Sequence, residues 1–100
     1  MTMTHWILED MKPKQVDSVT WARWFKETRN RFIHETTVGD IRISTVFLGL
    51  NYRFGDGPPL LFETMIFGGP LDQSQWRYST LGEAKKGHWD AVESVKGDNS

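Results

Sequence analysis

Apolar side chains recur at three- and four-residue spacings between residues 19 and 30, in the segment VTWARWFKETRN. This period is typical of an amphipathic helix, and Asp17 or Ser18 would cap its first turn. The residues expected on its inner face are Val19, Trp21, Ala22, Phe25 and Thr28, with Trp24 beside them. We therefore predict a first helix that is rich in aromatic residues and ends near Asn30.

The same period returns near the end of the chain. Thr80 and Glu83 have the spacing of a capping box, in which each side chain accepts a hydrogen bond from the other residue's backbone amide. We predict a second helix from there to about Lys96, with Gly97 as the residue that ends it. Its expected apolar stripe consists of Leu81, Ala84, His88, Ala91, Val92 and Val95.

Between the helices, β-branched and aromatic residues dominate, which favours strands. Segments 31–38 and 41–50 flank Gly39 and Asp40, a pair suited to a two-residue hairpin turn. A turn there pairs Val38 with Ile41, Thr36 with Ile43, His34 with Thr45 and Phe32 with Phe47. These eight side chains share one mostly apolar face, which we expect to be the core face, and Ile33 then lies on the other face.

Three further strands are predicted at residues 5–9, 60–67 and 76–79, the last being short. The first would be an edge strand, and Pro13 is expected to end regular structure after it. Alternation along the second places Leu60, Phe62, Thr64 and Ile66 on one face, and Leu61, Glu63, Met65 and Phe67 on the other. Gly and Pro residues isolate this second strand at both ends.

The predicted element order is β-α-β-β-β-(β)-α. Strands joined by tight turns form an antiparallel meander, and two amphipathic helices can cover one face of such a sheet. We predict an α+β fold in which a three- to four-stranded antiparallel meander carries two helices on one face. One domain is expected over residues 1–97, with a disordered tail at 98–100.

The composition narrows the function classes. The 100 residues include no cysteine, which excludes disulfides, thiolate catalysis and cysteine-ligated zinc. No signal peptide or membrane-length apolar run is recognisable, so we expect a cytoplasmic protein without membrane contact. The net charge is −1, but residues 11–31 carry six basic against two acidic side chains, a segment that would attract an anionic partner.

The polar residues in the predicted core are the candidates for chemistry. His88 and Glu63 would form a possible general base if they meet in a cleft, and the alternative is a core histidine with satisfied ring nitrogens. His34 is a third polar residue on the core face. The three histidines lack metal-ligand spacing and no phosphate-binding motif is present, so neither a metal nor a cofactor is expected.

Glu63 in an otherwise apolar strand has two interpretations. If the helices cover its face, the carboxylate must pair with His88, an arginine or backbone amides. If that face is open, Glu63 is an ordinary exposed residue among partly exposed apolar ones, and the surface for a partner lies there.

Aromatic and basic residues alternate closely along the predicted first helix. They fit a plain core, a protein interface or a stacking platform for single-stranded nucleic acid, with Trp89 as a further stacking residue. The residues predicted to bind a partner are Trp21, Arg23, Trp24, Lys26 and Arg29 of this helix, with Tyr52 and Arg53 of the loop at 52–56.

Three stretches, STVFLGL at 44–50, GPPLLFETMIFGG at 57–69 and RYSTLGEAKKGH at 77–88, resemble a family of small bacteriophage and prophage proteins. The resemblance covers about residues 21–92, although this chain has Asn51 and Leu81 where the family often has Asp and Trp. It implies a phage origin and no particular chemistry. A phage origin favours a stoichiometric inhibitor of a host or defence protein.

The expected function is therefore that of a small non-enzymatic protein that binds a protein partner. One alternative is a nucleic-acid-binding protein that uses the basic-aromatic segment 11–31. Another is a small hydrolase or isomerase that uses Glu63 and His88. The oligomeric state, including a homodimer, stays open.

Overall fold

A computed structural model of the chain describes residues 4–28, 31–53 and 55–98. Its elements in chain order are β1 (Trp6–Glu9), β2 (Lys12–Gln15), α1 (Ser18–Glu27), β3 (Phe32–Val38), β4 (Ile41–Phe47), β5 (Phe62–Phe67), β6 (Gln75–Tyr78) and α2 (Leu81–Asp98). Strands β3 to β6 form an antiparallel sheet in which each strand pairs with the next, whereas β1 and β2 form a separate two-stranded sheet. The predicted α+β fold with an antiparallel meander is confirmed, and its fourth strand, β6, is present.

Both helices contact the same face of the four-stranded sheet. Helix α2 packs across all four strands. One core cluster consists of Ile41, Ile43, Ile66, Ala91, Val92 and Val95, and a second consists of Phe47, Leu61, Phe62 and Ala84. Helix α1 reaches the second cluster through Trp24, whose ring lies 5.7 Å from the Phe47 ring in an edge-on arrangement. The core therefore lies almost entirely between α2 and the sheet.

The turn of the β3–β4 hairpin is the predicted one. Gly39 has a φ of 60°, a left-handed conformation that glycine adopts without strain and that this two-residue turn requires. Three predicted pairs are confirmed: Val38 with Ile41, Thr36 with Ile43 and His34 with Thr45.

The predicted pairing of Phe32 with Phe47 is wrong. A bulge between Phe32 and His34 shifts the register, so that Phe32 pairs with Val46. Because a bulge adds one residue to one strand, the alternation of faces changes by one position. Ile33 consequently packs against the core, while Phe32 takes the opposite face and is 49% exposed.

The expectation that Pro13 ends regular structure is also wrong. Pro13 lies inside β2 and pairs with Leu8, beyond a two-residue turn in which Asp10 and Met11 have φ values of 53° and 64°. In an antiparallel ladder every second N–H points away from the partner strand, and Pro13 occupies such a position one step from the turn-closing pair. Strand β1 therefore pairs with β2 and not with the four-stranded sheet.

The predicted inner face of helix α1 is correct only in part. Trp21, Phe25 and Thr28 are half-buried as expected, but Val19 and Ala22 are exposed. The half-buried residues are Trp21, Trp24, Phe25 and Thr28. The Trp21 indole donates a 2.9 Å hydrogen bond to the Gly49 carbonyl, and a Cβ at Gly49 would overlap the Phe25 ring. The docking of α1 thus depends on a glycine outside the helix, which the period of the helix does not reveal.

The predictions of where the helices begin agree with the structure better than the predictions of where they end. The Asp17 side chain caps α1 by accepting a 2.7 Å hydrogen bond from the Thr20 amide, and Thr80 and Glu83 form the predicted capping box. Gly97 does not end α2, which continues to Asp98 without a positive φ at Gly97. In the part of the chain that the structure describes, no helix combines the length and the apolar composition that crossing a membrane requires.

Candidate functional site

A line of polar side chains lies between α2 and the sheet. The ring of His88 is fully buried, with Nε2 lying 2.8 Å from the Thr36 hydroxyl and Nδ1 2.8 Å from the Thr45 hydroxyl. The Thr45 hydroxyl also shares a 2.5 Å hydrogen bond with Thr64. Burial lowers the pKa of His88, and the neighbouring His34 lowers that pKa further. As arranged, neither ring nitrogen of His88 is open to a substrate.

Glu63 lies on the opposite face of the sheet from His88. Its neighbour Thr64 points towards α2, so alternation along β5 directs Glu63 away from the helix. Its Oε2 lies 3.0 Å from Arg77 Nε on β6, and the Glu63 side chain is 15% exposed. The carboxylate–imidazole pair is therefore not formed, and the partner of Glu63 is an arginine.

We call the sheet face that carries Glu63 the open face, because neither helix lies over it among residues 4–28, 31–53 and 55–98. Strand register arranges its side chains in three rows: Thr37, Arg42 and Phe67; Glu35, Ser44, Met65 and Gln75; Phe32, Val46, Glu63 and Arg77. Apolar side chains occur in every row and are half-buried or exposed. The open face is thus a mixed surface, in which four apolar side chains lie among seven polar or charged ones.

Two arginines of the open face lie over aromatic rings. The guanidinium carbon of Arg42 lies 4.4 Å from the centre of the Phe67 ring, and that of Arg77 lies 4.7 Å from the Tyr52 ring. Such contacts are favourable, and ion pairs with Glu35 and Glu63 help hold each guanidinium in place. Arginine and aromatic residues together are the usual composition of protein-interface hot spots.

The predicted partner residues of α1 divide between two sides of the helix. Trp21 and Trp24 are half-buried and face the protein, whereas Arg23 and Lys26 are exposed on the outer side. Arg29 lies outside the described residues. The aromatic side chains of α1 that were predicted to stack on nucleic acid are therefore turned inward, whereas its basic side chains face solvent. A role for this surface in binding stays a prediction.

The loop after β4 contributes one of its two predicted residues to the open face. Tyr52 is 45% exposed and lies against Arg77, while the Arg53 guanidinium donates to the Pro58 carbonyl. The Asn51 side-chain oxygen accepts hydrogen bonds of 2.9 and 3.1 Å from the amides of Arg53 and Leu60, which fixes the base of the loop. Phe54, within the predicted 52–56 segment, lies outside the described residues.

The two exposed tryptophans lie on or beside α2, and not on α1. Trp89 is 49% exposed and its ring contacts His34 and His88, at centroid distances of 4.8 and 5.2 Å. Trp76 on the edge strand β6 is exposed on the other flank of the helix. The position of Trp89 next to His88 on the apolar stripe could have indicated a side chain at the margin of the core.

The surface cavities of the described structure include ones of about 200, 240 and 260 Å³. Each lies at an edge of the layered core: between β6 and α2, between α1 and the start of β3, and between β3 and α2. In the same residues, no group of three or more histidine, aspartate or glutamate side chains is placed to hold a metal ion.

Comparison with known proteins finds no relative of this chain. No protein-family model matches the chain, and no curated protein or solved structure matches it either. The function is therefore inferred from the surfaces described above.

Proposed function

We propose that this chain acts by binding a protein partner through the open face of its four-stranded sheet. The observation that carries the proposal is the presence of three half-buried apolar side chains, Val46, Met65 and Phe67, on a face that neither helix covers in the described structure. An antiparallel sheet that meets water on one face normally carries polar side chains there. The apolar residues of the open face instead suit contact with another protein.

The character of the open face indicates what kind of partner it fits. Glu35, Arg42, Glu63 and Arg77 contribute two charges of each sign, so the face has no strong field of one sign. A protein surface that also mixes apolar side chains with charges of both signs matches this pattern, whereas nucleic acid would need a basic face. The resemblance to phage proteins makes a bacterial host or defence protein the first partner to test.

The decisive experiment compares capture of a partner by the chain and by variants of two surfaces. The open-face variant carries Arg42→Glu with Phe67→Ser, and the matched control carries Arg23→Glu with Lys26→Glu on the outer side of α1. A partner is first identified by capture from a bacterial lysate and then measured as a purified protein. We expect the open-face variant to lose about 30-fold or more in affinity, the effect of removing a hot spot.

Circular dichroism and thermal unfolding first establish that both variants are folded. Unchanged affinity of the open-face variant, with a loss in the α1 variant, would contradict the proposal. That result would move the interface to the helix surface that the sequence predicts.

A further inference from the structure

The cavity between β3 and α2 has the composition of a binding site. It has a volume of about 260 Å³ and is lined by Ile33, His34, Ala84, Lys85, His88 and Trp89. This volume lies just below the range typical of drug-sized ligands, so the cavity suits a smaller, fragment-sized molecule. It opens on the helix side of the sheet, away from the open face.

The β3 bulge is what builds the wall of this cavity. In a regular strand two consecutive residues point to opposite faces, yet Ile33 and His34 both line the cavity. The register shift between Phe32 and His34 accounts for this, because it adds one residue on the helix side. Bulges that re-aim a side chain occur preferentially beside functional sites.

The aromatic side of the cavity consists of three rings that contact one another. The His34 ring lies 4.7 Å from the His88 ring and 4.8 Å from the Trp89 ring. His88 itself is locked by hydrogen bonds to two threonines. A half-exposed indole packed against two imidazoles, one of them held by hydrogen bonds, therefore offers an aromatic surface to a flat ligand.

The polar side chains that line the cavity favour a negatively charged ligand. No carboxylate is among the residues that line it. The ring nitrogens of His34 and the ammonium group of Lys85 have no hydrogen-bond or ion-pair partner within the described ranges. The adjacent Lys86, by contrast, forms a 2.8 Å ion pair with Asp90. Two nitrogen donors thus remain available beside an aromatic wall.

We propose that this cavity binds a small planar organic acid, with its ring against the Trp89 indole and its carboxylate bound by His34 and Lys85. Stacking supplies contact with the flat body of the ligand, and charge-assisted hydrogen bonds supply the preference for an anion. The site is separate from the proposed partner surface, so either proposal can fail without the other.

The test is a titration followed by two-dimensional ¹H–¹⁵N NMR, with benzoate, benzamide and acetate as probes. The Trp89 indole signal is identified by its loss in Trp89→Phe. We expect saturable benzoate binding with a dissociation constant of about 1 mM or tighter, as a well-fitted fragment allows. Benzamide has the same shape without the charge, and we expect it to bind about tenfold more weakly. Acetate has the charge without the ring and should not move the indole signal.

Two neighbouring lysines provide the matched variants. Lys85→Met should weaken benzoate binding about tenfold and leave benzamide binding unchanged, whereas Lys86→Met should alter neither. Both side chains are exposed on α2, so circular dichroism serves to confirm that the helix is retained. The proposal is overturned by the absence of saturable indole shifts up to about 10 mM benzoate. Equal affinities for benzoate and benzamide, or equal effects of the two lysine variants, would overturn it as well.

Discussion

The two faces of the four-stranded sheet use the same strands for different purposes. On β5, Phe62, Thr64 and Ile66 are fully buried beneath α2, while their neighbours Met65 and Phe67 are only half-buried on the open face. The covered face combines two apolar clusters with an internally satisfied polar line. The open face has apolar side chains with no helix over them among the described residues. We infer that stability depends mainly on one face and recognition on the other.

Two phenylalanines of the same strand test this division most strongly. Phe62→Ala should lower the free energy of unfolding by about 3–5 kcal/mol, because it leaves a cavity in a fully buried cluster. Phe67→Ala should lower it by about 1 kcal/mol or less, since it removes a half-exposed ring and one contact with Arg42. Urea denaturation of both variants measures the difference. Similar losses for the two would mean that the open face is buried too, and the comparison of faces would fail.

Substitution of two glycines in α2 tests how closely this helix packs against the covered face of the sheet. A Cβ at Gly87 would overlap the Tyr78 ring, whereas one at Gly82 meets no atom within 4 Å. We expect Gly87→Ala to lower the free energy of unfolding by about 1–3 kcal/mol through overpacking. Gly82→Ala should raise it by about 0.5–1 kcal/mol, because alanine restricts the unfolded chain and favours the helix.

Thermal or urea unfolding of the two alanine variants gives the answer. A stabilised Gly87→Ala variant would show that Tyr78 moves aside at little cost, and that the contact between α2 and β6 is loose.

Local patterns predicted the parts of the fold whose causes are themselves local. The capping box of Thr80 and Glu83 and the turn at Gly39 each depend on a few adjacent residues, and both are confirmed. The predicted stripe of α2 is also correct, because the buried residues of this helix all face the same sheet. Alternation along β5 likewise separates Phe62 from Glu63.

The errors arose where a distant contact decides between two acceptable arrangements. Phe32 and Ile33 are both apolar, so the sequence cannot show that a bulge exchanges their faces. The inner face of α1 depends on a close approach at Gly49, far along the chain. The same limit applies to the candidate sites. An arginine was expected as the partner of Glu63 only if the helices cover its face. On the open face an exposed carboxylate was expected, and the pairing of β5 with β6 instead brings Arg77 beside it.

The buried histidine makes the covered face sensitive to acid. Because burial lowers the pKa of His88 in the folded state, the unfolded chain binds a proton first as the pH falls below its ordinary value of about 6.5. The free energy of unfolding should therefore be independent of this group above about pH 6.5, and it should decrease as the pH falls from there through the folded-state pKa.

Denaturation between about pH 8 and pH 5 measures this dependence. The hydrogen bond from Thr20 lowers the pKa of Asp17 below 3.8, so Asp17 loses its contribution only at lower pH. His88→Gln should flatten the profile, while His34→Gln, at an exposed neighbouring ring, should leave most of the slope. An equal slope in the wild-type chain and His88→Gln would show that other groups cause the acid sensitivity.

The smallest expected effect concerns the ion pair of the open face. A double-mutant cycle with Glu63→Gln and Arg77→Met should give a coupling energy of about 0.5–1 kcal/mol, because both side chains retain some contact with solvent. The more exposed pair of Lys86 and Asp90 serves as the control and should give a smaller coupling energy. Added salt should reduce both values. A coupling of several kcal/mol at Glu63 would mean that the pair is cut off from water, and hence that the open face is covered in solution, for example by a second copy of the chain.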